Sequence, residues 1–211
     1  MAKTIDATFD PSDVWKPIEE GVYPAHIKSL QTKEVNTRAG EAIVINMRYK
    51  VADEVIEITQ PLWKMDGFKY VKDTDNNKVP ITNGKGEQKT TTCEHLKGRE
   101  FNDNGFFIFT SGSSSSKNRR YFELLDNLNI KCSETNVDGK KVKKLVLLEE
   151  GDVVGKPVLV TVKRQEYTTY ETKHLPPDQQ ERRSTFKVFN VNLWDDGETL
   201  DVEELGDDAP F

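Results

Sequence analysis

Between Ala42 and Val51 the chain alternates: Ile43, Ile45, Met47, Tyr49 and Val51 fall on one face of an extended segment, and Asn46, Arg48 and Lys50 on the other. A period of two held over this length marks a strand with one buried face and one wetted face. The molecule must therefore contain a sheet that covers its core from one side.

Other segments supply partners for that strand. Val22 to Gln31 suits a first strand, Thr32 to Glu41 with Asn36 and Gly40 is a turn-forming connection, and Val55 to Trp63 reads as a third strand with Ile56, Ile58 and Leu62 on one side. Residues 64–104 lose periodicity and gather Gly, Asn, Asp, Lys and Thr, which predicts a long insertion with room for one hairpin. Phe106 to Phe109 is a short aromatic strand, and Phe106, Phe107 and Phe109 are expected in the core. After the small-residue loop Ser111 to Ser116, the spacing of Tyr121, Leu124, Leu125 and Leu128 predicts an amphipathic helix running to about Asn129. Pro157 to Tyr167 and Thr185 to Trp194 complete the strands. Three strands, one helix and two strands is the order of an OB-fold, a mainly β, five-stranded, partly open barrel with its helix between strands 3 and 4. The expected organisation is an extended lead-in at 1–20, a barrel domain at 21–194 with the insertion at 64–104 after strand 3, and a disordered acidic tail at 195–211.

The formal charge of −6 is unevenly distributed. Eight of the 36 acidic residues and none of the 30 Lys and Arg follow Trp194, so residues 1–194 carry about +2. Such a body can meet an anionic polymer while the tail stays acidic. No apolar run is long enough to span a membrane and Met1 to Phe9 lacks a signal-peptide core, so a cytoplasmic protein is expected, in the host cytoplasm if the source is viral. Cys93 and Cys132 stand far apart and are expected as free thiols.

Cations and flat side chains are interleaved, as a surface that follows phosphates and stacks bases requires. Trp63, Lys64, Phe68, Lys69, Tyr70 and Lys72 cluster after the third strand, and Lys163, Arg164, Tyr167, Tyr170, Lys173 and His174 run from the fourth strand into its loop. Arg48 and Lys50 on the wetted face of the second strand, and Lys33 and Arg38 in the first inter-strand connection, join the DNA-binding candidates. Lys117, Arg119 and Arg120 oppose the positive end of the predicted helix. A phosphate docked there, or screening by solvent, would each relieve the mismatch. Enzyme patterns are poor. His26, His95 and His174 are scattered, Cys93 with His95 supplies half a zinc site, and Gly84 to Thr90 reads as a hairpin turn rather than a phosphate loop. No catalytic residue, metal or cofactor is expected.

The final residues Asp207, Asp208, Ala209, Pro210 and Phe211 resemble the acidic tip of bacterial single-stranded DNA-binding proteins, which ends Asp-Asp-x-Pro-Phe. The acidic run ending in Phe also resembles the single-stranded DNA-binding proteins of T7-type phages. A weaker likeness to that phage class covers Ile18 to Ile27 and Phe106 to Leu128. The resemblance implies that Pro210 and Phe211 anchor replication or recombination proteins while Asp207 and Asp208 steer toward a basic pocket. The function expected on these grounds is non-enzymatic, sequence-tolerant binding and protection of single-stranded DNA in phage replication, recombination or repair, with the tail recruiting partners and competing with DNA for the groove. A β-barrel adaptor binding only proteins is the alternative, and homo-oligomerisation is left open.

Overall fold

The alternating segment forms an interior strand of the largest sheet. The structure is a computed structural model that describes residues 16–66, 69–110 and 117–205. Along the chain, β1 (Gly21–Thr37) and β2 (Gly40–Val51) precede a 3-10 turn (Asp53–Glu57), β3 (Thr59–Pro61), β4 (Met65–Asp66), β5 (Lys69–Tyr70) and β6 (Thr90–Thr92). A second 3-10 turn (Glu94–Leu96), β7 (Glu100–Asn102), β8 (Phe106–Phe109) and α1 (Arg119–Asn127) follow. Then come β9 (Ser133–Val137), β10 (Lys140–Lys144), α2 (Glu150–Val153), β11 (Pro157–Thr168), β12 (Arg182–Leu193) and α3 (Val202–Leu205). Two compact units result, Glu19–Ile58 with Thr92–Phe211, and Thr59–Thr91 with Met1–Ile18.

In the larger unit the antiparallel ladders run β12-β11-β1-β2-β7, with β8 as a second partner of β2. Alternation sets the core face: Ile45, Met47, Tyr49 and Val51 of β2 are buried against Tyr23, Ala25, Ile27 and Leu30 of β1. The step from Ile27 to Leu30 keeps that face because the β1–β2 register slips between Ile27 and Ser29, where a bulge absorbs one residue. Val158, Val160, Val162, Val188 and Val191 extend the face across β11 and β12. Helix α1 closes it with Tyr121, Leu124 and Leu125, and Leu128 follows at its C-cap. Burial of side chains of this size stabilises by about 1.5–3 kcal/mol each.

One edge of β2 carries two short strands, Arg48–Lys50 pairing with Glu100–Asn102 and Ala42–Ile45 with Phe106–Phe109. Between them the chain leaves the ladder and a side chain replaces it. Asp103 Oδ2 accepts the Met47 N–H at 3.1 Å and the Tyr49 hydroxyl at 3.1 Å, while Oδ1 accepts the Gly105 N–H at 2.8 Å.

This architecture corrects the expected one. Among the described residues no ladder joins β12 to β7, and the one link between these ends is an isolated parallel bridge from Asp103 to Val188. The sheets are open. The physical reason is length, since β7 and β8 have three and four residues and the Asp103–Gly105 step divides them, so neither builds a seam against the twelve-residue β12. Three helices are described instead of the single helix between strands 3 and 4, giving a mixed α/β fold. The expected third strand at Val55 to Trp63 is a 3-10 turn followed by the three-residue β3. The resemblance to phage-type single-stranded DNA-binding proteins therefore does not carry an OB-fold barrel with it. Without the barrel, its groove for sequence-tolerant DNA coating has no counterpart here, nor does the β-barrel adaptor have a scaffold.

Residues 195–205 also depart from a disordered tail. The Leu200 N–H donates to the Gly155 carbonyl at 3.1 Å, His26 Nε2 donates to the Glu198 carbonyl at 2.9 Å, and Lys50 Nζ donates to the Glu204 and Leu205 carbonyls at 3.3 and 3.0 Å. Leu205 is 2% exposed. Gly155 has φ +83° and a Cβ there would overlap the Leu200 carbonyl, so this docking needs glycine. The acidic tip itself, Asp207, Asp208, Pro210 and Phe211, lies outside the described residues.

The smaller unit contains two hairpins of one design. Asp73 Oδ1 accepts the N–H groups of Asp75 and Asn77 at 3.0 and 2.8 Å, and Asn83 Oδ1 accepts those of Lys85 and Glu87 at 2.9 and 3.0 Å. Asn76 and Gly86, each three residues past the Asx side chain, take positive φ of 67° and 82°. Gly84 to Thr90 is thus part of an Asx-turn hairpin, as the sequence suggests, but it has a twin.

Candidate functional site

One turn and a clamp build the site. The Thr37 hydroxyl donates to the Gly40 carbonyl at 2.8 Å and accepts the Ala39 N–H at 3.1 Å, fixing the β1–β2 turn that holds Arg38 outward. Asn118, at the N-cap of α1, grips the end of β8 twice, accepting the Phe109 N–H at 2.8 Å and donating to the Phe109 carbonyl at 3.2 Å. Strand alternation then sorts the aromatic run: Phe106 and Ile108 go inward, while Phe107 and Phe109 face out. The expectation that all three phenylalanines enter the core holds for Phe106 alone.

Phe107 and Phe109 lie 6.3 Å apart between centroids with ring planes 19° from parallel, and Phe107 is 39% exposed. They line a cleft of about 460 Å³ with Arg38, Gly105, Lys117 and Arg120, and among the described residues no carboxylate lines it. Lys117 Nζ stands 5.3 Å from the Phe109 centroid and donates to the Ala39 carbonyl at 2.8 Å. Arg120 lies over Phe106 at 5.1 Å and over Phe189 at 5.7 Å, and Lys163 Nζ reaches within 4.5 Å of the Phe189 centroid. Phe189 is 54% exposed, so the cation–aromatic row continues past the cleft onto β12. Lys163 stands directly opposite Lys187 in the β11–β12 ladder, a like-charge cross-strand pair that an anion between them would relieve.

A second, polar hollow of about 250 Å³ lies between β1, β2, β7 and β12, with Gln31, Asn46, Arg48, Asn102, Asp103 and Lys187 in its lining. Asp103 forms its floor at 5% exposure. Burial above all pushes the Asp103 carboxyl up to about 6, against the opposing pull of its hydrogen bonds from Gly105, Met47 and Tyr49 and of the Arg120 charge. Burial, then the charge and hydrogen bond of Asp103, holds the Tyr49 hydroxyl well above the usual phenol range. Gly105 separates hollow from cleft: a Cβ there would stand 2.7 Å from Val44 Cγ1 and 2.9 Å from Asn46 Oδ1, at a φ of +78°.

Of the residues singled out in the sequence, Arg38, Lys117 and Arg120 gather at the cleft, Arg48 lines the hollow, and Lys163 flanks Phe189. Lys33 is exposed on β1. Lys50 serves the C-terminal segment instead, and Arg119 pairs with Glu123 at 2.8 Å. The cations at the start of α1 thus find partners within the chain. The Arg164 N–H donates to Glu20 at 3.0 Å. Tyr167 is exposed at the end of β11, Tyr170 is 89% exposed in the following loop, and Lys173 is exposed beyond it. In the smaller unit, Lys78 Nζ lies 4.0 Å from the Tyr70 centroid and 5.4 Å from that of Trp63. Lys72 Nζ donates to Asn76 Oδ1 at 2.8 Å, Lys64 is exposed, and Lys69 is placed in β5. Phe68 and Ser111 to Ser116 lie outside the described residues. Sequence reasoning missed Phe107, Phe109, Phe189, Asn46 and Lys187. For the first two the signal was present, because a four-residue strand must put alternate side chains on opposite faces.

Among the described residues no group of three or more His, Cys, Asp or Glu is placed to hold a metal ion, and no helix is long and apolar enough to cross a membrane. No protein-family description, curated protein or solved structure matches the chain.

Proposed function

We propose that this protein is a non-enzymatic binder of nucleotide units, flat rings that carry phosphate, at the Phe107–Phe109 cleft. The observation that carries the proposal is the pairing of two near-parallel, solvent-reaching phenyl rings with three cations and, among the described residues, no lining carboxylate. Exposed aromatic rings of this kind offer a stacking platform worth roughly 1–3 kcal/mol per base. Arg38, Lys117 and Arg120 supply the counter-charge for phosphate at the rim. The cleft volume of about 460 Å³ suits one or two such units, a local site on an open sheet.

Free nucleotides and nucleic-acid strands present the same chemistry. Calorimetric titration of the full chain with a nucleoside monophosphate, a single-stranded oligonucleotide, a duplex and inorganic polyphosphate separates the sources. Ring-bearing ligands are expected to bind, and Phe107→Ala is expected to weaken them about tenfold with little effect on polyphosphate. Polyphosphate binding that equals oligonucleotide binding, with Phe107→Ala silent, would overturn the reading. The monophosphate arm then tells whether one unit suffices or a strand is needed.

A further inference from the structure

We infer that the site holds two consecutive nucleotides of a chain, with the first ring at Phe107 and Phe109, the second on Phe189, and the phosphodiester between them at Arg120. The inference rests on the nucleotide reading of the cleft and names its ligand class, an oligonucleotide rather than a free nucleotide.

Its first ground is how Phe189 comes to be exposed. The β11–β12 register pairs Thr161 with Asn190 and Val162 with Val188, so Phe189 is the extra residue of a bulge. Val188 and Val191 stay buried on either side of it, while Phe189 is 54% exposed. A bulge gives up ladder pairing and turns one side chain out of step with the alternation. Here the side chain turned out is a phenyl ring.

The second ground is what surrounds that ring. Lys163 Nζ stands 4.5 Å and the Arg120 guanidinium 5.7 Å from its centroid. The contact of a cation with an exposed ring is weaker than the stacking of a base, so an incoming base takes the ring and leaves the cations for phosphate. Lys163 also stands opposite Lys187, and a phosphate between the two relieves their repulsion.

Continuity with the cleft is the third ground. Arg120 lines the Phe107–Phe109 cleft and also a smaller hollow of about 210 Å³ that it shares with Phe106 and Phe189. Helix α1 packs on both β8 and β12, which sets Arg120 in the open seam between the two strands. Among the described residues its one hydrogen bond goes to the Phe189 carbonyl at 3.4 Å, which leaves most of the five guanidinium N–H donors for a phosphate. Glu123 is the one carboxylate lining the smaller hollow among the described residues, and Arg119 pairs with it at 2.8 Å. Two ring stations with a guanidinium between them match the ring, phosphate, ring order of a nucleotide chain.

The test titrates the full-length protein calorimetrically with four compounds: thymidine monophosphate, a phosphorylated thymidine dinucleotide, the same dinucleotide without its second base, and two thymidines joined through a pyrophosphate. The dinucleotide should bind about tenfold more tightly than the monophosphate or the abasic dinucleotide, the scale of one stacked base. Phe189→Ala should bring the dinucleotide down to the level of the abasic compound and Phe189→Trp should keep the gain, with the thermal unfolding midpoint checking that each variant is folded. Equal binding of the dinucleotide and its abasic form, or a gain that survives Phe189→Ala, would overturn the second station and leave the stacking cleft standing. A pyrophosphate-linked compound that binds as tightly as the dinucleotide would overturn the chain and assign both stations to a free two-ring ligand. Absence of binding by all four compounds would overturn the nucleotide reading, and the inference with it.

Discussion

Asp103 joins three parts of the chain at one point, because its carboxylate fills the gap between two strands. It substitutes for a ladder acceptor at Met47, caps the Tyr49 hydroxyl and holds the Gly105 N–H that forms the wall between hollow and cleft. Its titration gives a prediction whose sign follows from the shift. The folded-state value is raised from an ordinary 3.8 to about 6, so between these values the native state binds more protons than the unfolded chain. Stability from this group is fully present below about pH 4 and is lost as pH rises to about 6, roughly 3 kcal/mol in all. Many other carboxylates titrate in the same window. The informative quantity is therefore the difference between the native protein and Asp103→Asn in urea unfolding from pH 4 to pH 7. That difference should fall with rising pH and level off above about 6, and parallel pH profiles for the two proteins would show that Asp103 is not the titrating group.

At the scale of elements, the acidic segment after β12 is a strap held by its backbone. Lys50 donates to two carbonyls at the end of α3, while Asp195, Asp196, Glu198, Asp201, Glu203 and Glu204 all remain exposed. Lys50→Met keeps the aliphatic stem and removes both hydrogen bonds. Each such bond is worth about 0.5–1.5 kcal/mol, so the strap should open more often and protease should cut between 195 and 205 several-fold faster. Nucleotide binding at the cleft should not change, because Lys50 lies eight positions along β2 from Ala42, about 26 Å at strand rise. An unchanged cleavage rate would mean that the Leu200–Gly155 and His26–Glu198 hydrogen bonds and the burial of Leu205 hold the strap without Lys50. Much at this scale was legible in the sequence. Alternation in β2 and the Tyr121, Leu124, Leu125, Leu128 spacing of α1 are local signals, and each became the element it predicted. Lys50 was not legible, since alternation places it on a wetted face but cannot reveal a segment 154 residues away that covers it. The paired hairpins could have been read, because Asp73 and Asn83 stand ten residues apart with their turns in step. Loss of period two across that stretch hid a repeat based on turn chemistry rather than on apolar faces.

For the whole molecule, the expectation of a five-stranded OB-type barrel came from counting strands without measuring them. Strand order along the chain does not say whether the ends of a sheet meet, and the three residues of β7 and four of β8 decide that they do not form a ladder with β12. The charge asymmetry was legible, but its meaning differs once the strap is seen docked. A chain ending at Trp194 would change from −6 to about +2 in net charge and would also lose the burial of Leu205 and the Leu200–Gly155 hydrogen bond. Burial of one such leucine with its accompanying hydrogen bonds amounts to about 3 kcal/mol. For a chain of this size that lowers the unfolding midpoint by roughly 6–12 °C. Salt separates the two contributions. If the strap is held by apolar burial and backbone bonds, the deficit of the truncated chain should be nearly the same at low salt and at 1 M, where the screening length is about 3 Å. If instead its carboxylates hold it by attraction to the basic body, high salt should weaken the full-length protein until the two midpoints converge. Differential scanning calorimetry of both chains at the two salt concentrations decides between them, and convergence would reject the backbone-held strap.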